Sequence, residues 1–269
     1  KGSSISIPIS LSYHSSGIRV NEIASRNGLG WNLNAGGIIT RNVRGIPDDN
    51  KDGYINTLHT VAEYESADLE KKTDLYLRAV ENVYDYESDI YYFNFLGQSG
   101  KFFFNQNNGE IIFHQKSDLK INFTKDSTKK IVGWRVKTTN GITYEFGFNE
   151  NAIKKETDTP YIKGQNLPPF NPASLFNYTS GWYLTKIIDF LGNETLYTYQ
   201  KELNNIITYW NISSHSKEFN AAFAMSGGSI GETLMFSKKQ YAPIFLTEIK
   251  SAFGKIAFEY LKSRLDLIN

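Results

Sequence analysis

Residues 28–49 read GLGWNLNAGGIITRNVRGIPDD, and this stretch constrains the backbone more tightly than the rest of the chain. Glycines permit positive φ and the close approach of a neighbouring backbone. Here they are Gly28, Gly30, Gly36, Gly37 and Gly45. The apolar anchors between them are Trp31, Leu33, Ile38 and Val43. Nothing in the stretch resembles a catalytic centre, so we interpret it as architecture: dense packing around tight turns.

Two arginines and two aspartates of this stretch are candidates for ion pairs. Arg41 and Arg44 lie close in sequence to Asp48 and Asp49. Exposed pairs contribute little to stability, so these pairs matter only if they are buried. The residues expected to carry the structural role are Gly28, Gly30, Trp31, Asn34, Gly36, Gly37, Arg41 and Arg44.

The composition of the whole chain favours pleated sheet. Of 269 residues 14% are aromatic, with 17 Tyr and 18 Phe against 2 Met, and aromatic side chains are enriched in strands. We predict a mainly β fold of antiparallel hairpins that form the sheets of a sandwich or a shell-like assembly. A net charge of +1 gives no reason to expect nucleic acid as a partner. The chain has no cysteine, and no apolar run is long enough for a transmembrane segment.

Hairpin signals recur along the sequence. Apolar residues alternate with polar ones from Ile5 to Tyr13, which predicts a strand with one buried face. Residues 90–95 and 101–104 flank a Gly-containing turn. Residues 134–138 and 142–146 flank Asn140-Gly141, a dipeptide typical of a type I′ turn. Two longer units, GWYLTKIIDFLGNETLYTYQ from Gly181 and FLTEIKSAFGKIAFEY from Phe245, share the order strand, Gly-containing turn, aromatic strand.

One segment departs from the β pattern. Between residues 66 and 84 the apolar positions fall at helical spacing, which predicts one surface helix that covers a sheet. Proline and asparagine are frequent in residues 158–180, which predicts a long loop. Residues 204–239 show no clear periodicity. We therefore expect an amino-terminal β domain at 1–157 and a hairpin region at 181–269, or one continuous domain.

The residues Asp48, Asn50, Asp52 and Gly53 fit the pattern D-x-N-x-D-G of calcium loops. In that pattern alternate oxygen ligands converge on a hard cation. The twelfth position is His59, where an EF-hand loop has Glu, so the alternative is an Asx-rich surface turn. We expect no other cofactor.

The usual catalytic patterns are missing from the sequence. The histidines His14, His59, His114 and His215 have no zinc-site spacing, and there is no G-x-S-x-G motif or P-loop. Asp85, Glu87 and Asp89 alternate before a strand, and we expect them on its solvated face. We therefore predict that the chain is not an enzyme.

Two motifs carry a family resemblance. SLSYHSSGIRVNEIAS (residues 10–25), followed by GLGWNLNAGGIITRNVRG, resembles the amino-terminal region of Rhs/YD-repeat proteins of Bacteroidetes and, more distantly, the toxin-complex B component. SDIYYFNFLGQSGKFFF (residues 88–104) resembles the same proteins, and the two hairpin units resemble YD repeats. The resemblance implies a non-catalytic, shell-forming segment of a large protein that is secreted or displayed at the bacterial cell surface. Its partners would be the rest of the polypeptide and a carboxyl-terminal effector or toxin.

A second class of function is a carbohydrate-binding or adhesive β module, stabilised by calcium. Aromatic side chains can stack on sugar rings, and Tyr209, Trp210 and Tyr241 are the candidates. The alternative is that these residues close a core. The chain begins at Lys1 without a signal-like apolar segment, which favours a piece of a longer protein.

Overall fold

The computed structural model describes residues 5–14, 24–81, 83–164, 176–218 and 231–260. Within these ranges the chain is mainly β, its strands pair in antiparallel fashion, and two α-helices are present, so the predicted fold class is confirmed. No helix in the described part is long and apolar enough to cross a membrane.

Among the described residues the secondary structure consists of strands, two α-helices and one 3₁₀ turn, Glu150–Ala152. The strands are β1 (Ser10–Tyr13), β2 (Trp31–Asn34), β3 (Gly37–Asn42), β4 (Ile90–Phe95), β5 (Gln98–Phe104), β6 (Ile111–Phe113), β7 (Lys120–Lys125), β8 (Ile131–Lys137), β9 (Thr143–Gly147), β10 (Ile153–Gly164), β11 (Phe176–Ile188), β12 (Glu194–Lys201), β13 (Ile207–Glu218), β14 (Gly231–Tyr241), β15 (Ile244–Ser251) and β16 (Gly254–Ala257). The helices are α1 (Val61–Ser66) and α2 (Leu69–Val80).

The chain divides into two compact units that interleave in sequence. Unit 1 is Lys1–Lys154, Thr179–Glu202 and Ile244–Asn269, and unit 2 is Lys155–Tyr178 and Leu203–Pro243. These units differ from the predicted division at 1–157 and 181–269. The physical reason is the antiparallel pairing of β10 with β14, which joins residues far apart in sequence.

Strand β11 organises the sheet of unit 1. Its residues Gly181–Tyr183 pair with β3, whereas Lys186–Ile188 pair with both β9 and β12. From β11 one branch continues as β3, β4, β5 and β6, a second as β9, β8 and β7, and a third as β12, β15 and β16. The resulting sheet is barrel-like and nearly closed.

The core of unit 1 is largely aromatic. Strand β4 alternates buried and exposed residues, as a strand with one inward face does. The largest fully buried side chains include Trp134, Trp182, Tyr91, Phe95, Phe102, Phe104 and Phe146. Trp134 and Trp182 meet edge to face, with ring centroids 5.4 Å apart. Such contacts fix the relative positions of the strands that carry them.

The predicted hairpins are present, but one turn type is different. Strands β8 and β9 pair around Asn140-Gly141 as expected. Only Gly141 has positive φ (83°), and its amide donates to Thr138 O, so the loop has three residues with a glycine bulge. The predicted type I′ turn at this place is therefore wrong. Leu96 and Gly97 both have positive φ (43° and 80°), and they form that kind of two-residue turn between β4 and β5.

The helical segment also differs from the prediction. Residues 61–80 form two helices, each begun by a side chain that accepts from the backbone: Thr60 for α1 and Asp68 for α2. Leu75 is buried, whereas Leu69, Tyr76 and Leu77 are exposed by 82%, 58% and 54%. Leu69, Tyr76 and Leu77, which were expected to cover a sheet, therefore face solvent.

The amino-terminal alternation forms a shorter strand than predicted. Strand β1 begins only at Ser10 and pairs with β2 in a separate two-stranded sheet. Its residues are all exposed, including Leu11 and Tyr13, whereas Ile5 and Ile7 pack against the core. The expected buried face is therefore absent from β1.

Unit 2 contains strands where we predicted irregular chain. Residues 158–164 belong to β10 and residues 176–180 to β11, so the predicted loop is wrong at both ends. Its middle, 165–175, lies outside the described residues. Strands β13 and β14 pair over most of their length, so much of 204–239 is an antiparallel ribbon. The glycine-rich residues 227–230 lie outside the described residues.

Candidate functional site: a buried arginine–aspartate cluster

The opening motif places a fully buried charged side chain in unit 1. Arg41 follows the inward alternation of β3, and its side chain is fully buried. Its Nη1 and Nη2 atoms donate to Asp49 Oδ1 over 2.8 and 2.5 Å. The guanidinium also lies 5.6 Å from the ring centroids of Tyr91 and Trp182. A planar cation suits this position because it can pair with a carboxylate and stack on aromatic faces.

Three aspartates bind backbone amides around this arginine. Asp48 and Asp89 bind each other's main chain: the Asp89 amide donates to Asp48 Oδ1 (2.9 Å), and the Asp48 amide donates to Asp89 Oδ2 (3.0 Å). Asp49 Oδ2 accepts from the Ile131 amide over 2.9 Å. The loop after β3 is therefore joined to the start of β4 and to the start of β8.

Asp85 extends the cluster at its edge. The residue is only 5% exposed, and its carboxylate accepts from the amides of Ile46 (3.1 Å) and Glu87 (3.0 Å). Gly45 lies against it with φ of 75°, and a Cβ there would lie 2.9 Å from Asp85 Oδ1. Any larger residue at position 45 would need both an unfavourable φ and a displaced carboxylate.

Burial and neighbouring charges shift the pKa values of Asp48, Asp89 and Arg41. Burial raises the pKa of Asp48 well above its usual range, and the neighbouring Asp89 raises it further. Burial also raises the pKa of Asp89 to about 6, although Arg41 opposes the shift. For Arg41, burial lowers the pKa, but Tyr91, Asp49 and Asp89 outweigh it, so the net direction is upward. The arginine therefore keeps its charge inside the core.

The second arginine of the motif has a different environment. The Arg44 side chain pairs with Glu87 at the surface, and the two side chains are 43% and 58% exposed. Its backbone amide donates to Asp89 Oδ1 over 2.8 Å. Arg41 thus forms a buried ion pair with Asp49, which was one of the possibilities at the level of sequence. The Arg44 side chain forms an exposed ion pair with Glu87 instead.

Two of the five glycines in the opening motif do not have the positive φ that was expected. Gly28, Gly30 and Gly45 have φ of 111°, 73° and 75°, whereas Gly36 and Gly37 do not have positive φ. Gly37 is required for another reason: a Cβ there would lie 2.2 Å from Phe95 Cβ. The close approach expected of these glycines is therefore found between β3 and β4.

The two other motif residues lie on β2 and are exposed. Trp31 is 41% exposed, and its ring centroid lies 5.2 Å from that of Tyr13. Asn34 ends the strand, opposite Ser10 of β1. Trp31 therefore anchors the small β1–β2 sheet instead of the aromatic core.

Two of the three candidate calcium ligands, Asp48 and Asn50, bind protein groups. Asp48 is fully buried, and besides Asp89 it accepts from the Tyr91 hydroxyl over 3.2 Å. Asn50 Oδ1 accepts from Lys130 Nζ. The described residues contain no group of three or more His, Asp or Glu side chains that could hold a metal ion. A calcium ion at Asn50 would have to displace an ammonium group.

Calcium binding by this loop stays a prediction with a simple test. If Asp48, Asn50 and Asp52 bind the ion, millimolar calcium should raise the Tm, because a ligand that binds only the folded state stabilises it. Asp52→Ala should remove the shift, whereas Asp118→Ala, at an exposed position outside this loop, should keep it. An unchanged Tm together with no heat in a calorimetric titration would eliminate the site.

The pKa of Asp85 gives the cluster a pH dependence with a definite sign. Burial raises this pKa to about 7, and Asp89 and Glu87 reinforce the shift, whereas an unfolded aspartate titrates near 4. The folded state therefore binds more protons, and the free energy of unfolding should fall as the pH rises from about 5 to about 8. Urea unfolding across that range measures the slope.

The variant Asp85→Asn should flatten this slope, because the amide does not titrate. Asp118→Asn is the control, since Asp118 is exposed and outside the cluster. A slope that Asp85→Asn leaves unchanged would assign the dependence to other groups.

Asp85 and Asp89 are the residues that sequence reasoning missed. We expected both on a solvated strand face with Glu87, but Asp89 is fully buried and Asp85 nearly so. Glu87 alone matches the expectation, with an exposed side chain. The sequence offered one signal for a link between these residues. Arg41 lies in the first of the two motifs that carry the family resemblance, and Asp89 lies in the second.

The candidate sugar-binding aromatics lie in unit 2 on two faces of one ribbon. The rings of Tyr209 and Tyr241 meet edge to face with centroids 6.1 Å apart. Trp210 is 53% exposed and lies near Lys238 Nζ, 6.0 Å from the ring centroid. Adjacent strand residues point to opposite faces, so Trp210 is separated from the two tyrosines.

Comparison with known proteins adds no family assignment. No protein-family model matches the chain, and no curated protein matches it.

Proposed function

We propose that this chain is a non-catalytic, wall-forming segment of an exported Rhs/YD-repeat-like protein, in which it forms or caps a β shell around a carboxyl-terminal effector. The observation that carries the proposal is the edge-to-edge pairing of the two similar hairpins. Strand β12 of the first hairpin pairs with β15 of the second from Thr195↔Ser251 to Lys201↔Ile244.

This pairing supports a wall because hairpins added in this way extend one sheet. In the first hairpin β11 pairs with β12, and in the second β15 pairs with β16. Each hairpin contributes one strand to the contact between them, and the other strand of the first hairpin, β11, pairs further with β9. Repeats in which each unit contacts only its neighbours build an extended surface.

The outermost strand of the second hairpin, β16, has one edge that no described strand covers. Among described strands β16 pairs only with β15, and all its residues are exposed. Ile256 is 46% exposed on this strand, and Phe253 in the preceding turn is 59% exposed. An exposed edge with apolar side chains is suited to pairing with another strand.

The buried cluster supports a structural role for the first half of the chain. Arg41, Asp48, Asp49 and Asp89 bind one another or nearby backbone amides, and Arg41 lies beside the buried rings of Tyr91 and Trp182. Such an arrangement fixes the loop after β3 against two strands. A wall segment needs this kind of rigidity more than it needs an accessible reactive group.

Limited proteolysis of the full-length protein tests the proposal. We expect its carboxyl-terminal segment to resist digestion and to remain bound to this region after the linking chain is cut, as followed by mass spectrometry and pull-down. The same segment prepared alone should be digested rapidly and serves as the control. Rapid loss of the segment from an intact 269-residue region would contradict the shell and favour an independent module.

A further inference from the structure

A cleft of about 380 Å³ lies at one end of the barrel-like sheet of unit 1. Its lining comes from the start of β5, from the residues between 113 and 119 that lead from β6 to β7, and from the turn after β8. Among the described strands, β6 and β7 each end a branch of the sheet and do not pair with each other. The cleft therefore lies where the barrel-like sheet is left open, and the mouths of β-barrels are common ligand sites.

The bottom of this cleft is aromatic. Phe93 is only 4% exposed there, and its ring meets that of Phe113 edge to face with centroids 6.3 Å apart. A Cβ at Gly100 would lie 2.6 Å from Phe93 Cζ, so the glycine lets the Phe93 ring lie directly on β5. The Phe113 side chain is only partly buried. Its ring can therefore pack against the C–H face of a ligand.

The rim of the cleft is polar and open to solvent. Its exposed members are Gln98, Ser99, Gln115, Lys116, Asp118 and Thr139. Ser117 Oγ accepts from the Leu119 amide over 3.3 Å, which leaves the hydroxyl hydrogen of Ser117 for a ligand. Hydroxyl and carboxamide groups both donate and accept hydrogen bonds, as the hydroxyls of a sugar do. The rim therefore suits a ligand that carries several hydroxyl groups.

The charges of the cleft favour an anion. Lys101 and Lys116 line it, and neither ammonium forms an ion pair with another described residue. Asp118 supplies the one carboxylate of the lining, so two cations face a single anion. Lys101 is half-buried, and charges at partly buried positions are screened less by salt than exposed ones. A ligand with one negative charge complements this balance, because it pairs with the lysines at the least repulsion from Asp118.

We propose that this cleft binds a disaccharide segment of an acidic polysaccharide, in which a hexuronate carboxylate pairs with Lys101 and Lys116 while a sugar ring packs on Phe113. A volume of about 380 Å³ lies near the lower end of the roughly 300–1,000 Å³ typical of small-molecule sites, so the cleft encloses two sugar rings and not a longer segment. The site is independent of the shell proposed above, because a wall segment can carry it or lack it.

Isothermal titration calorimetry of the full chain tests the proposal. The probes are digalacturonate, dimannuronate and the hyaluronan disaccharide, and the methyl ester of each is the neutral control. We expect at least one acid to bind, and its ester to bind about tenfold more weakly or not at all, since the ester lacks the charge-assisted contact. Lys101→Met should weaken binding by a similar factor, and Thr139→Trp should obstruct the rim. Lys137→Gln, at an exposed position of β8 outside the cleft, should leave the affinity unchanged.

Three results would overturn the site. Absence of heat with all three acids contradicts it. Equal affinity for an acid and its ester would eliminate the pairing with the lysines. Equal losses in Lys101→Met and Lys137→Gln would show unspecific attraction to a basic surface. Lys116→Gln changes an exposed residue, so it reports on binding even if Lys101→Met fails to fold. None of these results depends on protection of a carboxyl-terminal segment, so the two proposals fail separately.

Discussion

Replacing Arg41 by alanine should destabilise unit 1 by about 3–5 kcal/mol, which is the usual cost of removing one partner from a buried ion pair. The substitution would leave Asp49 and Asp89 buried without their cation, since Arg41 contacts both carboxylates and its side chain is fully buried. It would also remove a cation that lies 5.6 Å from the ring centroids of both Tyr91 and Trp182. Urea unfolding followed by tryptophan fluorescence measures the change.

The matched control is Arg44→Ala, three residues away in the same motif. Its side-chain pair with Glu87 is exposed, so the expected loss is below about 1 kcal/mol. Arg41→Lys should fall between the two, because an ammonium keeps the charge but not the planar fork. Equal losses for Arg41→Ala and Arg44→Ala would contradict the role given to the buried cluster.

The second large effect is expected at Gly37. Adding one methyl group in Gly37→Ala would place Cβ 2.2 Å from Phe95 Cβ and 2.8 Å from Phe95 Cα. Neither atom can move without shifting β4, whose residue Phe95 pairs directly with Gly37. Overpacking of this kind costs about 1–3 kcal/mol where side chains can adjust, and we expect the upper end or more because backbone is involved.

Gly254→Ala is the control for this substitution. Gly254 also lies in a strand, has no positive φ, and has no atom within 4 Å of an added Cβ. We expect a change within about 0.5 kcal/mol, or a slight gain from the stiffer unfolded chain. If Gly37→Ala unfolds at the same urea concentration as Gly254→Ala, the close approach of β3 and β4 is not a constraint.

These predictions rest on features that the sequence revealed to different degrees. The glycine-rich motif drew attention to Gly37 because glycine permits positive φ and close approach, and to Arg41 because Asp48 and Asp49 follow it in sequence. It did not distinguish positive φ from close approach at Gly37, since glycine satisfies both requirements. Nor did it identify Asp89, which lies 41 residues from Asp48.

The helical segment shows why local periodicity is ambiguous. Apolar residues at helical spacing predicted a helix, and helices are present at 61–66 and 69–80. The same pattern predicted that the stripe with Leu69, Tyr76 and Leu77 faces a sheet, but these side chains are exposed. Periodicity defines a stripe, whereas the rest of the fold decides what the stripe contacts.

By itself the sequence determined the mainly β character, the paired hairpins around Gly141 and Gly192, and the motif that contains the buried arginine. These features depend on side-chain alternation and on turn residues, which act over a few positions. Only the tertiary structure decided which carboxylates surround Arg41, how β10 and β14 join into unit 2, and which face of that ribbon holds the tyrosines. Those outcomes depend on contacts between residues far apart in sequence. Such contacts stabilise the fold only after the loop between the two residues has closed, so short sequence patterns do not reveal them.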